Sequence, residues 1–263
     1  MSVDRRTRVG LRTLVLGYLT VLLLVPVGLV FYRTFEHGVT PVWQAITTPA
    51  AAHAFWLTLE IALIAVPLNT IFGVITALAL VRGRFRGKAF VDALISLPFA
   101  LSPVVIGLAL LLVYGRGGWV SLPFQVIFAV PGMVLATVFV SLPFVVREVV
   151  PVLQEIGDEQ EQAAATLGAT RWQVFWRITL PAIRWGIAYG VVLTTARAIG
   201  EFGAVSVVSG RIAGQTQTLT LLVEQRFQNF DLSGAYAASA LLGVIAIATL
   251  LVMTLLKPRK DQT

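Results

Sequence analysis

The sequence has no cysteine in 263 residues, which excludes disulfide frameworks, cysteine-ligated zinc and thiol catalysis. Histidine is nearly absent too. His37 and His53 are too far apart to form a helical metal pair, and both are expected in the first external connection. Neither G-x-S-x-G nor H-E-x-x-H occurs, and no apolar stretch carries a pair of aspartates. Charge is scarce as well: 13% of residues are charged, against about 25% in a soluble domain. With 57% hydrophobic residues, the chain cannot cover a water-facing surface. The class is membrane-embedded.

One run looks like a phosphate loop, Gly83-Arg84-Phe85-Arg86-Gly87-Lys88. It departs from G-x-x-x-x-G-K-[ST] in its spacing and in the Ala89 that follows the lysine. No nucleotide, cofactor or metal site is therefore expected in this chain, and no enzyme activity.

What is present is apolar length. A bilayer core takes about 20 apolar residues per helix, and six segments qualify: 11–32, 55–81, 90–114, 125–146, 182–208 and 236–256. The opening MSVDRRTRVG has the charge of a signal sequence, but no small-residue cleavage site follows closely. An uncleaved signal anchor is expected. Pro67, Pro98, Pro103, Pro131 and Pro143 interrupt the second, third and fourth segments, where each removes a backbone bond.

The net charge of +7 sorts with the connections. Arg5, Arg6, Arg8 and Arg12 precede the first segment, and Arg82, Arg84, Arg86 and Lys88 follow the second. Arg147, Arg171, Arg177 and Arg184 lie between or beside the fourth and fifth, and Lys257, Arg259 and Lys260 close the chain. Those fifteen stand against Arg33, Arg116, Arg211 and Arg226 on the other side. The positive-inside rule then places both termini in the cytoplasm, together with the connection after the fourth segment. The basic balance is a topology signal here and does not point to nucleic acid.

That connection is the one amphipathic stretch, EQAAATLGATRWQVFWRITLP over 161–181. Asp158 and Glu161 resemble a capping box opening a small-sided helix through Ala163, Ala164 and Ala165. Gly168 suits a left-handed helix end. Thr170 with Gln173 can open a second helix, and Pro181 suits the first turn of the fifth segment. A helix held out in this way fits another protein's groove. It also fits the membrane surface, and the residues alone leave both open.

The pattern Gln162-Ala163-Ala164, Gly168, Ile178, Leu180, Pro181 resembles the E-A-A, G, I-x-L-P signature of permease subunits of bacterial ABC importers, with every spacing kept. Gln162 replaces the signature glutamate, and Glu161 stands beside it. The runs 196–205, 144–153, 69–73 and 217–220 resemble the W-type permeases of sulfate/thiosulfate importers, with molybdate permeases close behind. The resemblance implies an all-α membrane protein. It would have six transmembrane helices of the type I importer (MetI-like) fold, one permease domain over 1–263 and a coupling insert over about 147–181. It implies that Glu161, Gln162, Ala163, Ala164, Gly168, Ile178, Leu180 and Pro181 couple to an ATPase dimer. The other implied partners are a second, related permease subunit, an extracytoplasmic sulfate-binding protein and the lipid bilayer, with the assembly in a bacterial cytoplasmic membrane. A stand-alone anion channel or secondary transporter is the reading from another class.

For the anion path, Arg197 and Glu201 lie four residues apart, within reach of each other on one helix face. An intramembrane arginine has to face protein or water. The pair either braces the bundle or attracts and gates an anion. Ser102, beside the Pro98/Pro103 interruption, is the third candidate.

Overall fold

The computed structural model describes residues 5–256; Lys257, Arg259 and Lys260, three of the expected topology charges, lie outside the described residues. The described residues are helical, with no strand among them. Thirteen α-helices run in chain order as α1 (Arg5–Leu19), α2 (Val25–Phe35), α3 (Val39–Ile46), α4 (Pro49–Arg82), α5 (Lys88–Ala100), α6 (Pro103–Tyr114), α7 (Val130–Ile156), α8 (Glu159–Thr166), α9 (Arg171–Val174), α10 (Leu180–Ile199), α11 (Gly203–Val208), α12 (Leu219–Gln228) and α13 (Leu232–Leu256). Single π-helical turns at Thr20–Leu24 and Phe175–Thr179 join α1 to α2 and α9 to α10.

Five helical stretches are long and apolar enough to cross a membrane. The stretch expected as a third span is instead two helices, α5 and α6, bent by 111°. The break follows from Pro103, whose ring pushes the preceding residue out of helical geometry; Leu101 and Ser102 are extended. The other prolines do not interrupt their helices. Pro67 lies inside α4 and Pro143 and Pro151 inside α7, while Pro131 falls in the first turn of α7, where no bond is lost. One missing bond does not end a helix whose flanks are packed on neighbours. His53 also departs from expectation, sitting within α4 and not in a connection.

The core is a three-helix unit whose register can be read from pairs of residues. Asn69 Nδ2 donates to Ser141 Oγ at 2.8 Å, Gly73 packs on Val145, and Arg82 reaches the Leu153 carbonyl at 3.2 Å. The near-constant offset means α4 and α7 run parallel. On α10, Gly186 meets Val149 and Gly190 meets Val145, so α10 runs antiparallel to α7. Val74, Ala77, Val145, Val149, Leu153 and Ile183 fill one half of this unit. At the other end Leu57 and Ile61 of α4 and Met133 of α7 pack with Ile106 of α6 and Val205 and Val208 of α11.

Glycine sets the α7–α10 distance. A Cβ on Gly190 would lie 2.8 Å from the Val145 Cα, whereas one on Gly73 would press on the Val145 Cβ and Cγ1 at 2.7 Å, with the Val146 backbone N at 3.5 Å. Gly190→Ala is therefore expected to cost about 1–3 kcal/mol as an overpacking change. Trimming Val145 to Ala removes the Cγ1 contact but keeps the Cβ, so it should relieve Gly73→Ala in part and leave Gly190→Ala, which meets the Val145 Cα, largely unrelieved. Melting temperatures of the detergent-purified variants check this order.

Candidate functional site: an exposed helical knob and a buried ion pair

The 158–181 connection folds as a knob between α7 and α10. Gly157, at φ 68°, turns the chain out of α7. The end of α8 is a Schellman turn: Ala169 N–H reaches the Ala164 carbonyl and Gly168 N–H the Ala165 carbonyl, both at 3.0 Å. Gly168 holds φ 87°, the left-handed conformation this turn demands. Thr170 then opens α9 with both bonds of the expected capping box, Gln173 N–H to Thr170 Oγ1 at 3.3 Å and Thr170 N–H to Gln173 Oε1 at 2.8 Å.

The outer face of α8 is small and uncharged at its tip. Gln162, Ala163, Ala165 and Gly168 are exposed, and Leu167 is 88% exposed. Trp172, Phe175 and Trp176 stack edge to face beside it, with Trp172–Trp176 ring centres 5.5 Å apart. Ala164, Ile178 and Leu180 are half-buried and Pro181 is exposed.

Glu161 does not close a capping box with Asp158, which makes no side-chain cap at all. A guanidinium competes for its carboxylate and wins, since it offers a cation and two donors where the N-cap backbone offers one neutral N–H. Arg82 Nε meets Glu161 Oε2 at 3.0 Å, and Nη2 reaches Oε1 at 3.3 Å. The buried Thr179 hydroxyl donates to the same Oε1 at 2.9 Å. Asp158 instead accepts from Gln162 Nε2 at 2.8 Å. Thus Glu161 points into the protein and Gln162 lies outside. In the sequence Arg82 is marked only as a topology charge. Nothing local flags it, because its partner is 79 residues away.

The second site lies at the far end of α10, about 30 Å off at about 1.5 Å per residue. Here α10 stops at Ile199, so Glu201 stands beyond the helix end and the segment expected to run to 208 is broken. Gly200 ends the helix, and Gly203 begins α11. Arg197 and Glu201 still meet, Nη1 to Oε2 at 2.5 Å, with the Glu201 side chain 1% exposed and Arg197 29%. Glu201 Oε1 accepts the Ala204 N–H at 2.8 Å, so it caps α11. Its backbone carbonyl accepts the Thr220 hydroxyl at 2.9 Å.

Ser102 comes near this corner without joining it. Gly203 lies so close to Pro103 that a Cβ would come within 2.8 Å of the proline Cβ. The Ser102 side chain is exposed, and no hydrogen bond links it to Arg197 or Glu201 among the described residues. Nor do the described residues gather three His, Asp or Glu side chains that could hold a metal ion.

Residues 69–262 match the family described as binding-protein-dependent transport system inner membrane component. The chain belongs to this family. It is 51% identical over 251 residues to the sulfate transport system permease protein CysW of Synechocystis sp. (strain ATCC 27184 / PCC 6803 / Kazusa), covering 94% of this chain and 91% of that one. It is 38% identical to the CysT permease protein of the same organism over 245 residues, 91% of this chain and 86% of that one. A subunit of a bacterial ABC transporter that imports the acidic polysaccharide alginate superposes with a TM-score of 0.80 at 16% identity, covering 98% of each chain. The fold is therefore that of an ABC importer permease, as the signature implied. The likeness to CysW bears out the resemblance to the W-type sulfate permeases.

Proposed function

We propose that this chain is one permease subunit of an ATP-driven importer that passes sulfate or thiosulfate across a bacterial cytoplasmic membrane. The observation that carries the reading is the knob itself. It is exposed and small-sided, its shape is fixed by two left-handed glycines and a capping box, and it is tied into the helices behind it. Such a surface suits a groove on a separate ATPase, with Gln162, Ala163 and Gly168 outermost, Ala164 half-buried behind them, and Ile178, Leu180 and Pro181 rooting it at the start of α10. ATP is hydrolysed by that partner dimer and not by this chain.

The substrate follows from the relatives. CysW is more similar to this chain than CysT is, and both are named as sulfate permeases. That pairing supports a heterodimer of two related permeases, and the family name supports delivery by an extracytoplasmic binding protein. Since α4 and α7 run parallel, the chain has to recross between them, which supports counting α5 with α6 as one span. Six spans would put both termini on one side, and the arginines support the cytoplasm as that side, with the knob in it too. Arg197 and Glu201 mark the outer corner of the anion path, with the ion pair bracing it and Ser102 exposed nearby.

Uptake decides this. In a strain lacking its own importers, the chain with its ATPase, second permease and binding protein is expected to take up radiolabelled sulfate, competed by thiosulfate. Uptake of molybdate alone would move the substrate. Anion flux through the isolated chain in liposomes without an ATPase would overturn the reading.

A further inference from the structure

Arg82 occupies the last position of α4, where a cation suits the helix C-terminus. Its side chain carries five N–H donors, and four hydrogen bonds are formed by them. Nε and Nη2 hold the Glu161 carboxylate, Nη1 donates to the Leu153 carbonyl, and Nη2 also donates to the Gly157 carbonyl. Leu153 is in the last turn of α7 and Gly157 caps it, so Arg82 satisfies carbonyls the helix end leaves unpaired. Glu161 adds the Thr179 hydroxyl just before α10. One ion pair thus gathers the ends of α4, α7, α8 and α10.

Little else holds α8. None of its residues is buried, and its hydrogen bonds to other helices run through Glu161 among the described residues. At its other end, α4 carries Thr58, whose hydroxyl oxygen accepts the Leu219 N–H at 2.9 Å. The neighbouring Thr220 bonds the Glu201 carbonyl. A single continuous helix, about 36 Å from Thr58 to Arg82 at about 1.5 Å per residue, therefore connects the knob to the Arg197–Glu201 corner.

We propose that Arg82 is a positioning residue for transport: through Glu161 it fastens the knob to α4, so that movement of the knob reaches the outer corner as movement of that helix. In this chain the acidic side chain beside the signature braces the subunit internally, and a neutral Gln162 is left to meet the ATPase. The inference rests on the importer reading above.

The test uses the complete reconstituted transporter and reads anion uptake per ATP hydrolysed, a ratio that a purely structural loss would not move. Arg82→Gln and Glu161→Gln are each expected to lower the ratio about tenfold, within the usual 5–150-fold span of coupling effects, with the ATPase still bound. The double variant should be no worse than either single one. Thr179→Val, which removes one hydroxyl and keeps the shape, should lower it less but measurably. An unchanged ratio in the assembled single variants overturns the proposal, as does an additive double variant. If Arg82→Gln fails to assemble, full coupling in Thr179→Val overturns it too. Should the unaltered transporter move anions without ATP, the importer reading itself falls, and that outcome is distinct from all of these.

Discussion

Gly168→Val is expected to abolish ATP-driven uptake while leaving membrane insertion intact. The cause is backbone conformation and not crowding, since a Cβ at Gly168 would find nothing within 4 Å. At φ 87° an ordinary residue costs about 1–3 kcal/mol, and a β-branched one sits at the upper end. In a packed helix that strain would be absorbed. Here α8 has eight residues and no buried side chain, and so short a helix has little stability of its own. The turn is expected to give way, opening the Ala169–Ala164 bond and swinging Leu167 off its position. The graded series decides the point: Gly168→Asn should keep most uptake because asparagine tolerates this conformation, Gly168→Ala less, and Gly168→Val almost none. Co-purification of the ATPase should fall in the same order. Full uptake by the valine variant would show that the knob's shape does not matter.

The knob was legible because its instructions are local. The left-handed turn at Gly168 and the Thr170/Gln173 box each depend on residues within a few positions, and both formed as the sequence indicates. The apolar spans were legible for the same reason, hydropathy being a property of each stretch alone. What escaped is whatever depends on distant partners. Asp158-x-x-Glu161 reads as a capping box until Arg82 arrives from α4 and takes the carboxylate. Pro67 and Pro143 read as interruptions, but packing keeps their helices whole; at Pro103 the extended Leu101 and Ser102 do break the chain. Gly200 could have marked the end of α10, yet the apolar run continues through Val205 and Val208 because α11 is buried against α6. Hydropathy reports burial and has no information on direction.

The outer corner yields to a paired substitution. Arg197→Met is expected to be the most damaging single change there, because it leaves the Glu201 carboxylate buried without its counter-charge. Removing one partner of a buried pair costs about 3–5 kcal/mol. Glu201→Gln should be milder: Arg197 is 29% exposed and can turn to water, and the new amide oxygen can still accept the Ala204 N–H. The double variant Arg197→Met/Glu201→Gln removes the stranded charge and should recover melting temperature relative to Arg197→Met, leaving an underbonded amide worth about 1–3 kcal/mol. Uptake is expected to recover with it. Both Glu201 oxygens are already engaged, one by Ala204 and one by Arg197, and a self-neutralised pair exerts little pull on a dianion. On that outcome the corner is a brace that fixes where α10 ends and α11 begins, and Arg197 is not a group the anion must meet. A double variant that is stable and fully assembled yet takes up no anion would reverse the assignment, making the Arg197 guanidinium a group the anion must meet.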